Sequence, residues 1–373
     1  MLRILSIFGT RPEAIKFAPV IAALRSHPDV FKTRICVTGQ HREMLDQVLE
    51  LFKLVPDYDL NVMLDDQSLS YVTAEVLTRL ERIVDREKPD WVLVQGDTTT
   101  TAAASLAAFY HKIKVGHIEA GLRTHDRFNP FPEETNRQIA DALADIHFAP
   151  TERARQNLLH EGYSNDAIRV TGNTVIDALQ DIAARPFGRR GTILDEPDLV
   201  GQRVILVTAH RRENFGQPIR NICAALRNLA TKYSREIEVV YPVHMNPNVR
   251  RVVYELLEGL TNVHLLPPLD YEVFVRLMQR AYLILTDSGG LQEEAPTFGV
   301  PVLVLRDRTE RPEAIEAGTA QLVGTDTNQI VKVASKLLDN ESTYAKMAHA
   351  VNPFGDGRAS HRIASFLLES VGT

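Results

Sequence analysis

Tyr282-Leu283-Ile284-Leu285-Thr286-Asp287-Ser288-Gly289-Gly290-Leu291-Gln292-Glu293-Glu294-Ala295 decides the fold. It begins as a short apolar run of strand length, breaks at Ser-Gly-Gly, and resumes as a helix, the junction expected where a buried parallel strand feeds a crossover helix. The Gly289-Gly290 pair lets backbone approach a ligand closely, and amides at the helix start behind Ser288 suit a diphosphate. Glu294, just inside the helix, is placed to accept hydrogen bonds from ribose hydroxyls. No Gly-x-Gly-x-x-Gly follows any strand, so the segment fits a nucleotide sugar better than a dinucleotide. The same Gly-Gly turn also serves a tight strand-to-helix connection.

Working outward, the same alternation runs through the chain. Strands are predicted over 3–8, 34–38, 91–95, 115–118, 147–149 and 168–171, then over 204–208, 237–242, 263–266, 282–286, 301–305 and 321–323. Helices lie between them, as over 70–87, where Val72, Val76, Leu77, Leu80 and Ile83 recur at helical spacing. The fold class is α/β, with two Rossmann-like lobes and a central cleft where ligands of such sheets sit. The lobes are predicted at 1–172 and 173–354, the second binding nucleotide. A loop rich in Pro and Gly is expected over 185–201, and residues 355–373 form a C-terminal helix able to pack back on the N-terminal lobe.

Composition narrows the function. The 373 residues are 44% hydrophobic and 24% charged, an ordinary balance for a soluble protein, and 48 acids against 42 bases give a net charge of -6. Without a basic run, nucleic acid is not an expected partner. No apolar stretch approaches the ~20 residues of a membrane span, and the start, broken by Arg3, reads as a first strand rather than a signal. Cys36 and Cys223, far apart in apolar runs, read as reduced core residues of a cytoplasmic protein.

The residues able to carry chemistry cluster after predicted strands. Gly9-Thr10-Arg11-Pro12-Glu13 has capping-box spacing and opens a helix, so its amides, with Arg11 and Lys16, read either as an anion site or as a solvated helix start. Asp97 and Glu119 each close a strand, at the edge where parallel sheets place their sites, and two acids there would repel unless a site used them. Glu133, after Pro130-Phe131-Pro132, opens a helix and is either a catalytic acid or one favoured by the helix dipole. His210-Arg211-Arg212 forms a compact positive patch suited to phosphate. His244 follows the next strand and reads as structural, whereas Arg311-Pro312-Glu313 repeats the Arg11-Pro12-Glu13 pattern. No phosphate-binding loop, nucleophile elbow or paired Cys-x-x-Cys is present, and Asp57-Tyr58-Asp59 lies in a loop, so neither a metal nor a cofactor is expected.

These segments together resemble the non-hydrolysing UDP-N-acetylglucosamine 2-epimerases, through residues 9–16, 40–47, 95–101, 116–124, 132–137, 171–178, 208–216, 241–247, 286–296 and 309–313. The resemblance implies the two-lobed fold of GT-B glycosyltransferases, a homodimer, and interconversion of UDP-GlcNAc and UDP-ManNAc without metal or nicotinamide. It puts substrate contacts at Arg11, Lys16, Asp97, Glu119, His210, Phe274, Ser288, Gly289, Gly290, Glu294 and Arg311, and adds Glu133 to the catalytic acids. The step the resemblance implies is departure of UDP from C1 as the C2 proton is removed, giving a 2-acetamidoglucal that takes UDP back after protonation from the other face. Asp97, Glu119 and Glu133 are the candidates for proton transfer, and His210 acts on phosphate or on a proton. Gln40, His41, Arg42 and Gln47 resemble a segment that in some bacterial members helps hold a second UDP-GlcNAc as activator.

Three other readings share parts of this pattern. A GT-B glycosyltransferase would need an acceptor and has no evident use for three clustered acids; a hydrolysing epimerase would release free sugar. A silent sugar-nucleotide sensor could dispense with the acids.

Overall fold

The computed structural model describes residues 1–39, 42–62, 67–188, 191–196, 199 and 201–370. It divides into two compact units, Met1–Asp181 with Phe354–Thr373, and Ile182–Pro353.

In the first unit, seven strands alternate with helices: β1 (Leu2–Phe8), α1 (Arg11–Arg25), β2 (Phe31–Val37), α2 (Arg42–Leu51), β3 (Tyr58–Asp59), α3 (Leu69–Glu87), β4 (Trp91–Gln95), α4 (Thr99–Tyr110), β5 (Lys114–Ile118), α5 (Glu133–Leu143), β6 (Ile146–Ala149), α6 (Glu152–His160), β7 (Ile168–Val170) and α7 (Thr174–Ala184). All pairings are parallel, in the order β3-β2-β1-β4-β5-β6-β7. Strands covered by helices on both faces read as unbroken apolar runs, and β4 is buried at all five positions. Strand order reverses direction between β1 and β4. That switch point opens a crevice at the strands' carboxyl ends, where the turns Gly9–Thr10 and Gly96–Asp97 lie.

The second unit repeats the plan with β8 (Arg203–Thr208), α8 (Gln217–Lys232), β9 (Ile237–Pro242), α9 (Pro247–Leu257), β10 (Val263–Leu266), α10 (Tyr271–Arg280), β11 (Ala281–Thr286), α11 (Gly289–Glu294), β12 (Val302–Val304), α12 (Pro312–Glu316), β13 (Ala320–Leu322), α13 (Thr327–Asp339) and α14 (Glu341–Ala348). Its order is β10-β9-β8-β11-β12-β13. The switch point here lies between β8 and β11, whose carboxyl ends carry Ala209–His210 and Asp287–Ser288.

Two expectations shift. The boundary falls inside α7, not at Gly172. Asp177 on α7 accepts N–H bonds from Ala359 (3.2 Å) and Ser360 (2.8 Å), and Asn173 N–H donates to Phe354 O (2.6 Å), so the start of α7 belongs with the returning C-terminal segment. That segment ends in α15 (Ala359–Glu369), which packs against α1. Hence α1 is buried well beyond the face that Ile15, Ala18, Ile21 and Leu24 define, with Ala14, Phe17, Val20 and Ala23 also inside. Asp57-Tyr58-Asp59 is not wholly loop: Tyr58 and Asp59 pair with Cys36 and Val37 as a two-residue edge strand.

Among the described residues no helix is long and apolar enough to cross a membrane, and no group of three or more His, Cys, Asp and Glu could hold a metal ion. Both thiols are buried, and burial pushes the Cys36 and Cys223 pKa values up, the latter to about 12.

Gly9 marks how tightly the first crevice is built. A Cβ there would come 2.0 Å from Thr38 Oγ1 and 2.7 Å from Thr100 Oγ1. We expect Gly9→Ala to destabilise the protein by about 1–3 kcal/mol through overpacking, measured by urea unfolding. Gly188→Ala, with nothing within 4 Å of its added carbon, should stay within about 0.5 kcal/mol of the parent.

Candidate active site

The first unit gathers acids at the ends of β4 and β5, and each is matched to a cation. Glu119 follows β5 in the left-handed region at φ 67°, a conformation that costs a non-glycine residue about 1–2 kcal/mol. Its N–H is held by Phe148 O at 3.0 Å. The side chain is nearly buried, and Lys16 Nζ lies 2.6 Å from Oε2. The Gln95 amide donates to the same oxygen, and Asn173 Nδ2 to Oε1 at 3.2 Å. Asp97 instead takes two bonds from Arg137, Nε at 3.0 Å and Nη2 at 2.8 Å, while Asn136 Nδ2 holds its carbonyl at 2.9 Å. The repulsion expected between two neighbouring acids is thus answered by separate counter-charges. Lys16, which opposed the dipole of its own helix, finds its reason in Glu119.

Glu133 opens α5 behind Pro132, after cis peptide bonds at Asn129–Pro130 and Phe131–Pro132. Its Oε2 is buried with no hydrogen-bond partner, and a buried orphan of this kind asks for a ligand or water to complete it. Glu134, beside it, is fully buried and fully used. It accepts N–H bonds from Thr124 and His125, both at 3.0 Å, and Arg137 Nη1 lies 2.7 Å away. Sequence reasoning singled out neither Glu134 nor Arg137, although Glu-x-x-Arg on a helix places the two charges on one face.

The start of α1 corrects an expectation. Glu13 is buried, and its carboxyl takes the N–H groups of Gly9 (3.0 Å) and Thr10 (2.7 Å), with the Thr10, Thr98 and Thr101 hydroxyls at 2.7, 2.7 and 3.3 Å. Burial raises its pKa against the lowering effect of the Thr10, Thr98 and Gly9 hydrogen bonds. The turn expected to face an anion therefore has these amides already engaged, and Glu13 ties the start of α1 to that of α4. Arg11 stays half-buried at the edge of this turn.

In the second unit, Asp287 organises the end of β8. The fully buried carboxylate accepts from the N–H groups of His210 and Arg211, both at 2.8 Å, and from Asn214 Nδ2 at 2.9 Å. Its Oδ1 makes no hydrogen bond and sits 3.7 Å from His210 Nδ1. His210, with its side chain 41% exposed, stacks on His244 with ring centroids 5.1 Å apart and planes 8° from parallel. Partial burial depresses its pKa first; Asp287 opposes this, and His244 and Arg211 add to it. The positive patch is less bare than expected, because Arg211 pairs with Glu310 at 3.2 Å and Arg306 with Glu213 at 2.5 Å.

After β11, Ser288 caps α11 without a side-chain bond to it. The helix has only six residues before a 3-10 turn at Ala295–Phe298. Gly290 is cramped, since a Cβ would lie 3.0 Å from Glu294 Oε1, and Arg211 Nη2 would be 3.6 Å from one on Gly289. Arg311 is bound to the buried Glu293 and donates to Glu310 O at 3.1 Å. Phe274 is half-buried on α10.

A family model for UDP-N-acetylglucosamine 2-epimerase matches residues 22–368. The chain belongs to that family. The UDP-N-acetylglucosamine 2-epimerase of Escherichia coli strain K12 is 53% identical over 375 residues, covering 98% of each chain. A crystal structure of the Neisseria meningitidis UDP-GlcNAc 2-epimerase bound to UDP-GlcNAc superposes with a TM-score of 0.88 at 50% identity, covering 99% of this chain and 100% of that one. A putative UDP-N-acetylglucosamine 2-epimerase from Listeria monocytogenes gives 0.93 at 47% identity, over 100% and 97%. Of the segment similar to the activator site of some epimerases, Gln40 and His41 lie outside the described residues, as does the Arg42 side chain. Gln47 is exposed on α2.

Arg137 is the residue this geometry makes most exposed to test. Replacing it with Met leaves Glu134 buried without its cation, and we expect a loss of about 3–5 kcal/mol, read as a shift of the urea midpoint. Arg137→Lys should recover only part of it, because an ammonium cannot reach Asp97 and Glu134 with one planar fork.

Proposed function

We propose that the chain interconverts UDP-GlcNAc and UDP-ManNAc by inverting C2 of the sugar. The observation that carries this reading is the set of acids at the strand ends, with Glu119 held against Lys16 in a strained backbone conformation. A binding module has no use for such strain, whereas a proton-transfer group must be held in place. Family membership and the UDP-GlcNAc bound to the Neisseria meningitidis protein support the substrate.

The C2 proton has no adjacent carbonyl to acidify it. Its removal is coupled to breaking the C1–O bond, so the electron pair of C2–H forms the C1–C2 double bond and UDP departs with the C1–O pair. Protonation of C2 from the other face and return of UDP to C1 complete the inversion. Asp97, Glu119 and Glu133 supply the proton-transfer groups, and the orphan Oε2 of Glu133 is the oxygen a substrate donor would satisfy. Arg11 and Lys16 in the first unit, and His210, Ser288, Gly289, Gly290, Glu294 and Arg311 with the Phe274 ring in the second, bind the nucleotide and the leaving diphosphate. A donor lost from such a leaving-group site typically costs ~10²–10³ in rate. The enzyme works as a homodimer, and the likeness of residues 40–47 to the activator segment of some relatives extends the proposal to a second, activating UDP-GlcNAc.

Incubating the purified protein with UDP-GlcNAc alone and following the anomeric signals by NMR should show UDP-ManNAc at equilibrium. Accumulation of free sugar and UDP would instead mark a hydrolysing enzyme, and no change without an acceptor would mark a transferase. In heavy water, product should carry deuterium at C2. Asp97→Asn and Glu119→Gln should each lower turnover by at least ~10²-fold while changing KM far less.

The His210 environment predicts the acid limb of the pH profile. Where His210 acts on a proton rather than on phosphate, the neutral ring is the working form, and because its pKa lies below the ordinary 6.5, kcat/KM should hold as pH falls to that value and decline only further down. His210→Asn should remove that decline together with most activity. The sign for stability is the same: the unfolded chain takes up this proton first, so the group withdraws stability as pH falls through 6.5.

A further inference from the structure

Asp141, in the last turns of α5, is fully buried, and its carboxylate reaches two other segments. Oδ1 lies 2.6 Å from His117 Nδ1, while Oδ2 accepts from Gly121 N–H at 3.3 Å and from Arg123 Nη2 at 2.7 Å. His117, also fully buried, has its second ring nitrogen, Nε2, 2.8 Å from the carbonyl oxygen of Gly96. A carboxylate and a carbonyl oxygen can only accept, so the ring donates from both nitrogens and is a cation. Burial alone would push the Asp141 pKa up, but the charges of His117, Arg123 and His147 hold it at about 2, so the carboxylate is ionised. Arg123 is itself clamped by Glu161 at 2.6 and 2.7 Å. His147 touches only main chain here, with Nε2 3.0 Å from Asp141 O and Nδ1 3.0 Å from Ala167 O, and stacks on Tyr163.

The placement matters more than the strength. Gly96, in the left-handed region at φ 73°, immediately precedes Asp97. Glu119 sits midway between His117 and Gly121, two of the three residues that the Asp141 carboxylate bonds. Glu133 begins the helix on which Asp141 stands. We propose, resting on the epimerase reading above, that Asp141 and the His117 imidazolium are positioning residues that set Asp97, Glu119 and Glu133 in register with one another. A buried charge pair in which both ring nitrogens and both carboxylate oxygens are engaged gives a single geometry, and a neutral amide in place of Asp141 cannot satisfy both His117 and Gly121 as before.

The ring protons of His117 are counted first, by ¹H–¹⁵N NMR of the full-length protein at pH 7.5, with His117→Gln assigning the signals. Two protons are expected, and one would overturn the proposal. Kinetics then compare the parent with Asp141→Asn under the NMR epimerisation assay. A folded Asp141→Asn should lose about 10- to 100-fold in kcat with KM within about threefold, the size expected when catalytic groups shift by a fraction of an ångström. Val76→Ala, which opens a cavity in the core of the same unit on α3 and touches no hydrogen bond of the network, should lower Tm with kcat unchanged. Normal kcat in Asp141→Asn, or equal kcat losses in Asp141→Asn and Val76→Ala, would overturn the proposal while leaving the epimerase reading intact. A parent that does not epimerise UDP-GlcNAc would overturn both. Should Asp141→Asn not fold, His117→Gln carries the same test, with the same split between kcat and KM expected and a normal kcat overturning it.

Discussion

The Lys16–Glu119 ion pair, 2.6 Å long and almost removed from water, is the interaction on which the first crevice depends. A carboxylate at the end of a buried parallel strand cannot keep its charge unless a cation or several donors answer it. Here the cation comes from the first turns of α1, the remaining donors from Gln95 and Asn173, and the carboxylate sits on a backbone held at φ 67°. One residue therefore ties together β4, β5, α1 and the start of α7. The strain at Glu119 persists because those partners over-determine it.

The same rule explains the rest of the unit. Asp97 is answered by Arg137, Glu134 by Arg137 and two main-chain amides, and Asp141 by His117, Arg123 and Gly121. Glu13 is answered by hydroxyls and amides alone, and burial drives its pKa upward. Of the acids in the described residues of this unit, only Glu133 keeps a buried oxygen with no hydrogen-bond partner. In the second unit Asp287 plays the comparable role, folding the His210 turn around its Oδ2 and leaving Oδ1 facing the imidazole.

How much of this was legible in the sequence follows from the range of each signal. Strand and helix periodicity is local, so β4, β9 and β10 fall where the apolar runs put them, and the turns after β1, β4, β5 and β11 announce themselves through Gly, Asp and Ser, that after β8 through His210-Arg211-Arg212. The acids Asp97, Glu119 and Glu133 were visible for the same reason. Their partners were not. Lys16 and Glu119 are 103 residues apart, Arg137 and Asp97 are 40, and no periodicity links them. His117 and Asp141 were missed because each sits in an apolar run where a polar residue reads as an ordinary core exception. The boundary in α7 was misplaced because what holds that helix arrives from Ala359 and Ser360, some 180 positions later.

The two units, alike in topology, spend their charges differently. The first buries carboxylates against cations on neighbouring helices, which fixes oxygen positions to the precision that proton transfer demands. The second sets arginines along part-buried turns, with Arg211 paired to Glu310, Arg306 to Glu213 and Glu310, and Arg311 to Glu293. A guanidinium offers five donors and a bidentate pair uses two, so Arg211, 3.2 Å from Glu310, can meet an anion without abandoning its carboxylate. In the elimination proposed for this chain the acids need exact distance and the leaving group needs standing charge, and the ion pairs of the first unit and the arginines of the second are what the proposal assigns to those two requirements.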